Sequence, residues 1–290
     1  MKKSRKLATL GICSALFLGL TACQQQHATS EGTNQRQSSS AKVPWKASYT
    51  NLNNQVSTEE VKSLLSAHLD PNSVDAFFNL VNDYNTIVGS TGFSGTLNSF
   101  THTEYDVEKI SHLWNQKKGD FVGTNCRINS YCLLKNSVTI PKLEKNDQLL
   151  FLDNDAIDKG KVFDSQDKEE FDILFSRVPT EATTDVKVHA EKMETFFSQF
   201  QFNEKARMLS VVLHDNLDGE YLFVGHVGVL VPADDGFLFV EKLTFEEPYQ
   251  AIKFASKEDC YKYLGTKYAD YTGEGLAKPF IMDNDKWVKL

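Results

Sequence analysis

The chain has 290 residues, 41% hydrophobic and 24% charged, with a formal net charge of −8. That is enough apolar material for one sizeable core or two small ones. The acidic balance argues against a nucleic-acid binder and against a basic face that lies on a membrane.

In chain order, Lys2, Lys3, Arg5 and Lys6 form a basic head, followed by an apolar stretch over residues 7–20 that is short for a bilayer span. The stretch ends Leu20-Thr21-Ala22-Cys23, which resembles the lipobox of bacterial lipoproteins. That resemblance implies a signal peptide over 1–22, lipidation of Cys23, and attachment to the extracytoplasmic face of a cell membrane. Loss of residues 1–22 takes four positive charges and no acidic ones, which leaves the remainder at −12. Residues 24–44 hold almost no large apolar side chains, so burial cannot offset their ordering entropy, and 23–44 reads as a tether. No second apolar run is long enough to span a bilayer.

The folded part is expected over 45–290 as one domain, helical first. Ser57-Thr58-Glu59-Glu60 reads as a capping box ahead of Val61, Leu64, Leu65 and His68. Asp70-Pro71 opens a second helix with Val74, Phe77, Phe78, Val81, Tyr84 and Val88 along one stripe. Further helices are expected over 105–115, after Cys126, over 165–178 and over 185–200. Residues 208–215, 220–231 and 236–245 are rich in Val, Leu and Phe and are broken by Asp- and Gly-containing turns, which predicts an antiparallel meander. A helix over 256–263 and a closing strand at Trp287-Val288-Lys289-Leu290 complete the reading. Helices before strands indicate an α+β fold.

Of the five cysteines, Cys13 leaves with the signal and Cys23 takes the lipid, so an odd number remains and at least one thiol is free within the molecule. Cys126 and Cys132 lie about 240° apart on a helix and cannot bridge there. Cys132 and Cys260 are either a pair or two buried apolar thiols.

Cys126 follows the polar turn Gly123-Thr124-Asn125 and opens a helix, a place where a cap or an acid is ordinary. A helix N-terminus and a neighbouring imidazolium both favour the thiolate. His226 stands between Gly225 and Gly228 in an apolar strand, and glycine inside a strand marks a close approach. Glu241 is a charge in the apolar run Phe237-Leu238-Phe239-Val240. A four-residue connection over 233–236 sets Gly228 opposite Glu241 and makes His226 and Glu241 diagonal neighbours on one face. A five-residue connection over 232–236 puts Lys242 beside His226 instead. A carboxylate orients an imidazolium and a lysine opposes it, so the first register is taken.

A cysteine opening a helix, then a Gly225-His226-Val227-Gly228 strand, then a polar residue on the next strand, resembles the papain-like cysteine peptidase superfamily. The likeness is greatest to its NlpC-type and amidase-like cell-wall members. The region also resembles a family of Gram-positive surface lipoproteins catalogued only as a domain of unknown function. The motifs lie within 115–245. Two features depart from the NlpC-type pattern: Asn125-Cys126-Arg127-Ile128 stands where those members carry Asp-Cys-Ser-Gly, and Cys126 and His226 are 100 residues apart. The resemblance implies a papain-like frame and a Cys126–His226–Glu241 triad. From the residues themselves, Thr124 or Asn125 is the candidate second donor to the oxyanion, and Arg127 reads either as a clamp for a substrate carboxylate or as a surface arginine. The resemblance also implies a peptide or cell-wall peptide substrate and neither cofactor nor metal. A non-catalytic surface-binding lipoprotein on the same frame is the alternative. A solute-binding lipoprotein fits poorly, because no alternating βα pattern is present. The residues Asp153, Asp155 and Asp158 fail as a calcium loop, since Asp158 and Asp164 occupy the glycine and closing glutamate positions. His214, Asp215 and Asp218 read as a polar turn.

Overall fold

The computed structural model describes residues 46–100 and 103–290. The expectations for the signal, Cys23 and the tether therefore lie outside the described residues. Among those described, eight α-helices accompany a nine-stranded sheet in which every pair is antiparallel. The fold is thus α+β, with most helices preceding the meander.

A short strand β1 (Ala47–Thr50) comes first, although the N-terminal region reads as wholly helical in sequence. Helix α1 (Gln55–Ser66) is capped by Asn54, whose side chain accepts from the Val56 N–H. The expected capping box at Ser57 is not formed. Ser57 lies inside the helix, and its hydroxyl donates to the carbonyls of Asn54 and Gly95. Helix α2 (Pro71–Val88) starts where predicted, with Asp70 as cap and Pro at the first turn. Helices α3 (Val107–Lys118), α4 (Cys126–Leu134), α5 (Phe151–Gly160), α6 (Ser165–Leu174) and α7 (Val186–Phe197) follow. Two minor strands, β2 (Asn98–Ser99) and β3 (Val178–Pro179), lie among them.

The meander is β4 (Arg207–Asp215), β5 (Tyr221–Ala233), β6 (Gly236–Lys242) and β7 (Tyr249–Phe254). Helix α8 (Lys257–Lys267) and the hairpin β8 (Phe280–Asp283) and β9 (Lys286–Val288) close the chain. The main sheet order is β2-β1-β7-β6-β5-β4-β8-β9, with β3 on β5. Among the described residues no helix is long and apolar enough to cross a membrane.

Apolar side chains on the two sheet faces form separate cores. Val227, Val229, Leu238 and Val240 pack with helices from the first half of the chain, including Val61, Phe77, Ile128 and Tyr131. Leu230, Phe239 and Ile252 pack on the other face with Cys260 and Leu264 of α8. Helix α4 is the most enclosed helix among the described residues, buried everywhere except partly at Arg127.

Strand β5 carries one irregularity that matters for the site. Val211 of β4 faces His226, but Val212 faces Val224, so Gly225 is an extra residue on β5. Leu222 and Val224 before it, and Val227 and Val229 after it, all enter the helical core. Such a bulge switches the strand's alternation and re-aims the next side chain. His226 consequently shares a face with Leu230, on the α8 side.

Candidate functional site

The turn before Cys126 is built by two features. Gly123 has φ +91°, a left-handed conformation, and a Cβ there would lie 3.3 Å from the Trp114 ring. Asn125 then caps α4, its Oδ1 accepting from the Ile128 N–H at 3.1 Å, so Cys126 is the first helical residue. Its backbone N–H is one of the orphan donors of the helix N-terminus.

On β5 and β6 the register is Val229 opposite Val240, Leu230 opposite Phe239 and Val231 opposite Leu238. This agrees with the register taken from sequence, although pairing runs on to Ala233 and Gly236 and shortens the turn to Asp234-Asp235. Lys242 consequently points to the helical face, away from His226. Its ammonium donates to the carbonyls of Thr244 at 2.9 Å, Phe245 at 3.1 Å and Glu247, and lies 4.0 Å from the Tyr84 ring centroid. Gly228 meets the close approach its position implied, because a Cβ there would fall 2.3 Å from Phe239 Cζ.

The structure brings Cys126, His226 and Glu241 together. His226 Nε2 donates to Glu241 Oε2 at 2.5 Å, and the His226 ring also hydrogen-bonds the Cys126 side chain. Burial alone disfavours the charged forms of all three. Burial raises the Cys126 thiol, but His226, with Arg127 adding to it, outweighs that and holds it below the ordinary thiol range. Burial lowers His226, but Cys126 and Glu241 raise it to about 8. Burial raises Glu241, but Lys267, His226 and Tyr263 bring it down to about 2. The three directions agree on thiolate, imidazolium and carboxylate side by side. Cys126 retains 5% of its exposure and His226 1%.

Asn125 and Arg127 have other work than the roles expected of them. The Asn125 amide Nδ2 donates to Asp153 Oδ1 at 2.7 Å while its Oδ1 serves as the cap, so its side chain is committed. Arg127 grips Asp153 through Nε at 2.9 Å and Nη2 at 2.7 Å, and Nη1 donates to the Val224 carbonyl at 2.9 Å. The guanidinium therefore ties α4 to α5 and β5 rather than standing open as a substrate clamp. Thr124 is also engaged, accepting from Asn129 Nδ2 at 2.9 Å.

Four residues of the site escape the sequence reading. In sequence Asp153 reads only as part of an acidic cluster, and its partnership with Arg127 needs the packing of α5 on α4. Tyr263, Lys267 and Tyr268 belong to α8 and its end, which the sequence reading stopped at 263. Tyr263 donates to Glu241 Oε1 at 2.5 Å, Lys267 Nζ lies 3.7 Å from that oxygen, and Tyr268 stacks on His226 with ring centroids 4.8 Å apart.

Cys132 and Cys260 are free and buried, on opposite faces of the sheet, so they are two apolar thiols and not a pair. Among the described residues no group of three or more His, Cys, Asp or Glu side chains is arranged to hold a metal ion. His214 instead bonds Glu220 at 2.6 Å, and Asp218 pairs with Arg177 at 2.7 Å.

These features define an α+β domain with a buried Cys–His–Glu line between its central helix and its meander. A family model described as "Domain of unknown function (DUF4300)" matches residues 48–288, and the chain belongs to that family. No curated protein and no solved structure matches it.

Proposed function

We propose that this protein is a cysteine hydrolase of papain-like design that cleaves an amide bond, with Cys126 as nucleophile, His226 as base and then acid, and Glu241 as the group that orients His226. The observation that carries the reading is Cys126 at the mouth of α4 beside an imidazole whose Nε2 is fixed by a buried carboxylate. That arrangement makes a nucleophile from a thiol and keeps a proton ready on the adjacent ring. The thiolate Sγ attacks the carbonyl carbon, and the Cys126 N–H, aligned with the α4 dipole, faces the negative charge that develops on oxygen. His226 gives its proton to the leaving amine as the C–N bond breaks and a thioester forms. It then takes a proton from water, which attacks the thioester and releases the acid. The chain order of Cys126, His226 and Glu241 and the lipobox-like N-terminus support a lipid-anchored enzyme facing the cell-wall space. Peptide stems of the wall are the substrate class that compartment supplies.

The near-complete burial of Cys126 favours a second reading, a surface-binding lipoprotein that keeps this frame without turnover. The experiment that separates them is incubation of the full chain with a library of peptide amides that includes cell-wall stem peptides, with products read by mass spectrometry. Hydrolysis that disappears in Cys126→Ser supports the enzyme. No Cys126-dependent product from any peptide, with the fold intact, supports the binding module.

A further inference from the structure

The Cys–His–Glu line does not end at Glu241. The carboxylate is fully enclosed, and an isolated buried carboxylate is costly enough to take up a proton instead. Its two oxygens are served from different elements. Oε2 accepts from His226 on β5, and Oε1 accepts from the Tyr263 hydroxyl on α8. Lys267, four residues further along α8, donates to the same Tyr263 oxygen at 2.9 Å and stands 3.7 Å from Oε1. Residues four apart share a helix face, so one turn of α8 presents both groups to the carboxylate. The residue after it, Tyr268, covers the His226 ring. Lys267 reaches this position from the surface, with 30% of its side chain exposed.

We infer that Tyr263 and Lys267 are positioning residues for the Cys126–His226 pair, holding Glu241 as a fixed anion so that the shared proton stays on His226. The inference rests on the reading of Cys126 and His226 as a thiolate–imidazolium pair. Without the α8 donors the carboxylate takes that proton, His226 becomes neutral, and the thiolate loses the charge that stabilises it. The other groups electrostatically coupled to Glu241 do not supply that positive charge: Cys260 of α8, Tyr105 and Glu247 are neutral or acidic, and Gln250, opposite Glu241 on β7, does not titrate.

The test is the rate of Cys126 alkylation by iodoacetamide against pH in the full chain, with the modified peptide identified by mass. The variants are Tyr263→Phe, Lys267→Met, Lys267→Arg, His226→Ala and, as a charge control on the same helix, Lys262→Met. The expected result is a fast limb below pH 8 in the parent that moves up by about one unit in Lys267→Met and Tyr263→Phe. At pH 6 that is about a tenfold slower reaction. Lys267→Arg restores the limb and Lys262→Met leaves it in place. Lys267 is surface-reaching, so its variants keep the test open if Tyr263→Phe does not fold. Profiles of Lys267→Met and Tyr263→Phe that superimpose on the parent, while His226→Ala removes the limb, overturn the inference and leave the pair standing. An equal shift in Lys262→Met also overturns it, since any charge on the helix would then suffice. A parent with no limb below pH 8 removes the pair and this inference with it.

Discussion

Removing the Asp153 carboxylate should cost more than any other single change near the site outside Cys126, His226 and Glu241. Asp153 is fully buried and accepts three hydrogen bonds, from Arg127 Nε and Nη2 and from Asn125 Nδ2. In Asp153→Ala the guanidinium keeps only its bond to the Val224 carbonyl, and the Asn125 amide loses its acceptor. Breaking a buried ion pair by deleting one partner costs about 3–5 kcal/mol, because the remaining charge is left unpaired. For a domain of this size each kcal/mol lowers Tm by about 2–4 °C, so a fall of about 6–20 °C is expected. Asp153→Asn keeps one acceptor and the side-chain volume and should lose roughly half as much. Because Asn125 caps α4 and Arg127 is its second residue, alkylation of Cys126 should also become slower at neutral pH in Asp153→Ala. Thermal and urea unfolding followed by circular dichroism measure the first effect. A cost below about 1 kcal/mol would refute the reasoning, since it would mean that the buried guanidinium does not depend on this carboxylate.

Gly228→Ala should destabilise by about 1–3 kcal/mol in urea unfolding, because the new methyl meets the Phe239 ring at 2.3 Å and the Val240 carbonyl oxygen at 2.8 Å. An unchanged midpoint would show that the two strands can part at no cost. Glu241, held at about 2 against an ordinary 4.5, contributes stability that is full above pH 4.5 and is lost as pH falls toward 2. The stability gap between the parent and Glu241→Gln should therefore narrow across that window, and a gap that stays constant would contradict the ionised buried carboxylate. Burial pushes Cys132 up to about 12 and Cys260 well above the ordinary thiol range, so a thiol titration of the folded domain at pH 7 should modify neither. Reaction at both within minutes would place them nearer the surface than their cores allow.

The meander and the meeting of Cys126, His226 and Glu241 were legible in sequence because each rests on a local signal. Val, Leu and Phe runs broken by Asp-Gly turns mark strands, and a cysteine after Gly123-Thr124-Asn125 marks a helix start. The β5–β6 register was reachable as well, since only one of two connection lengths sets a carboxylate beside His226. What stayed hidden depends on tertiary partners. Strand β1 is short and finds its place by pairing with β7, which itself pairs with β6. Helix α5 carries Asp153 in an acidic cluster that fits no calcium loop, and only its packing shows Asp153 to be Arg127's counter-ion. Ser57 matches a capping pattern, but the helix is capped three residues earlier because Asn54 takes that role. On α8, Gly265-Thr266 lowers helical propensity past Leu264, and the burial of Leu264 and Tyr268 carries the helix on to Lys267.

The central claim, that Cys126 is a thiolate paired with a protonated His226, is tested most directly by the ultraviolet absorbance of the thiolate against pH, taken as the difference between the parent and Cys126→Ser. The account predicts a thiolate already present at pH 6 that disappears from that range in His226→Ala. A single titration near the ordinary thiol value of about 8.5 or above, the same with and without His226, would contradict it.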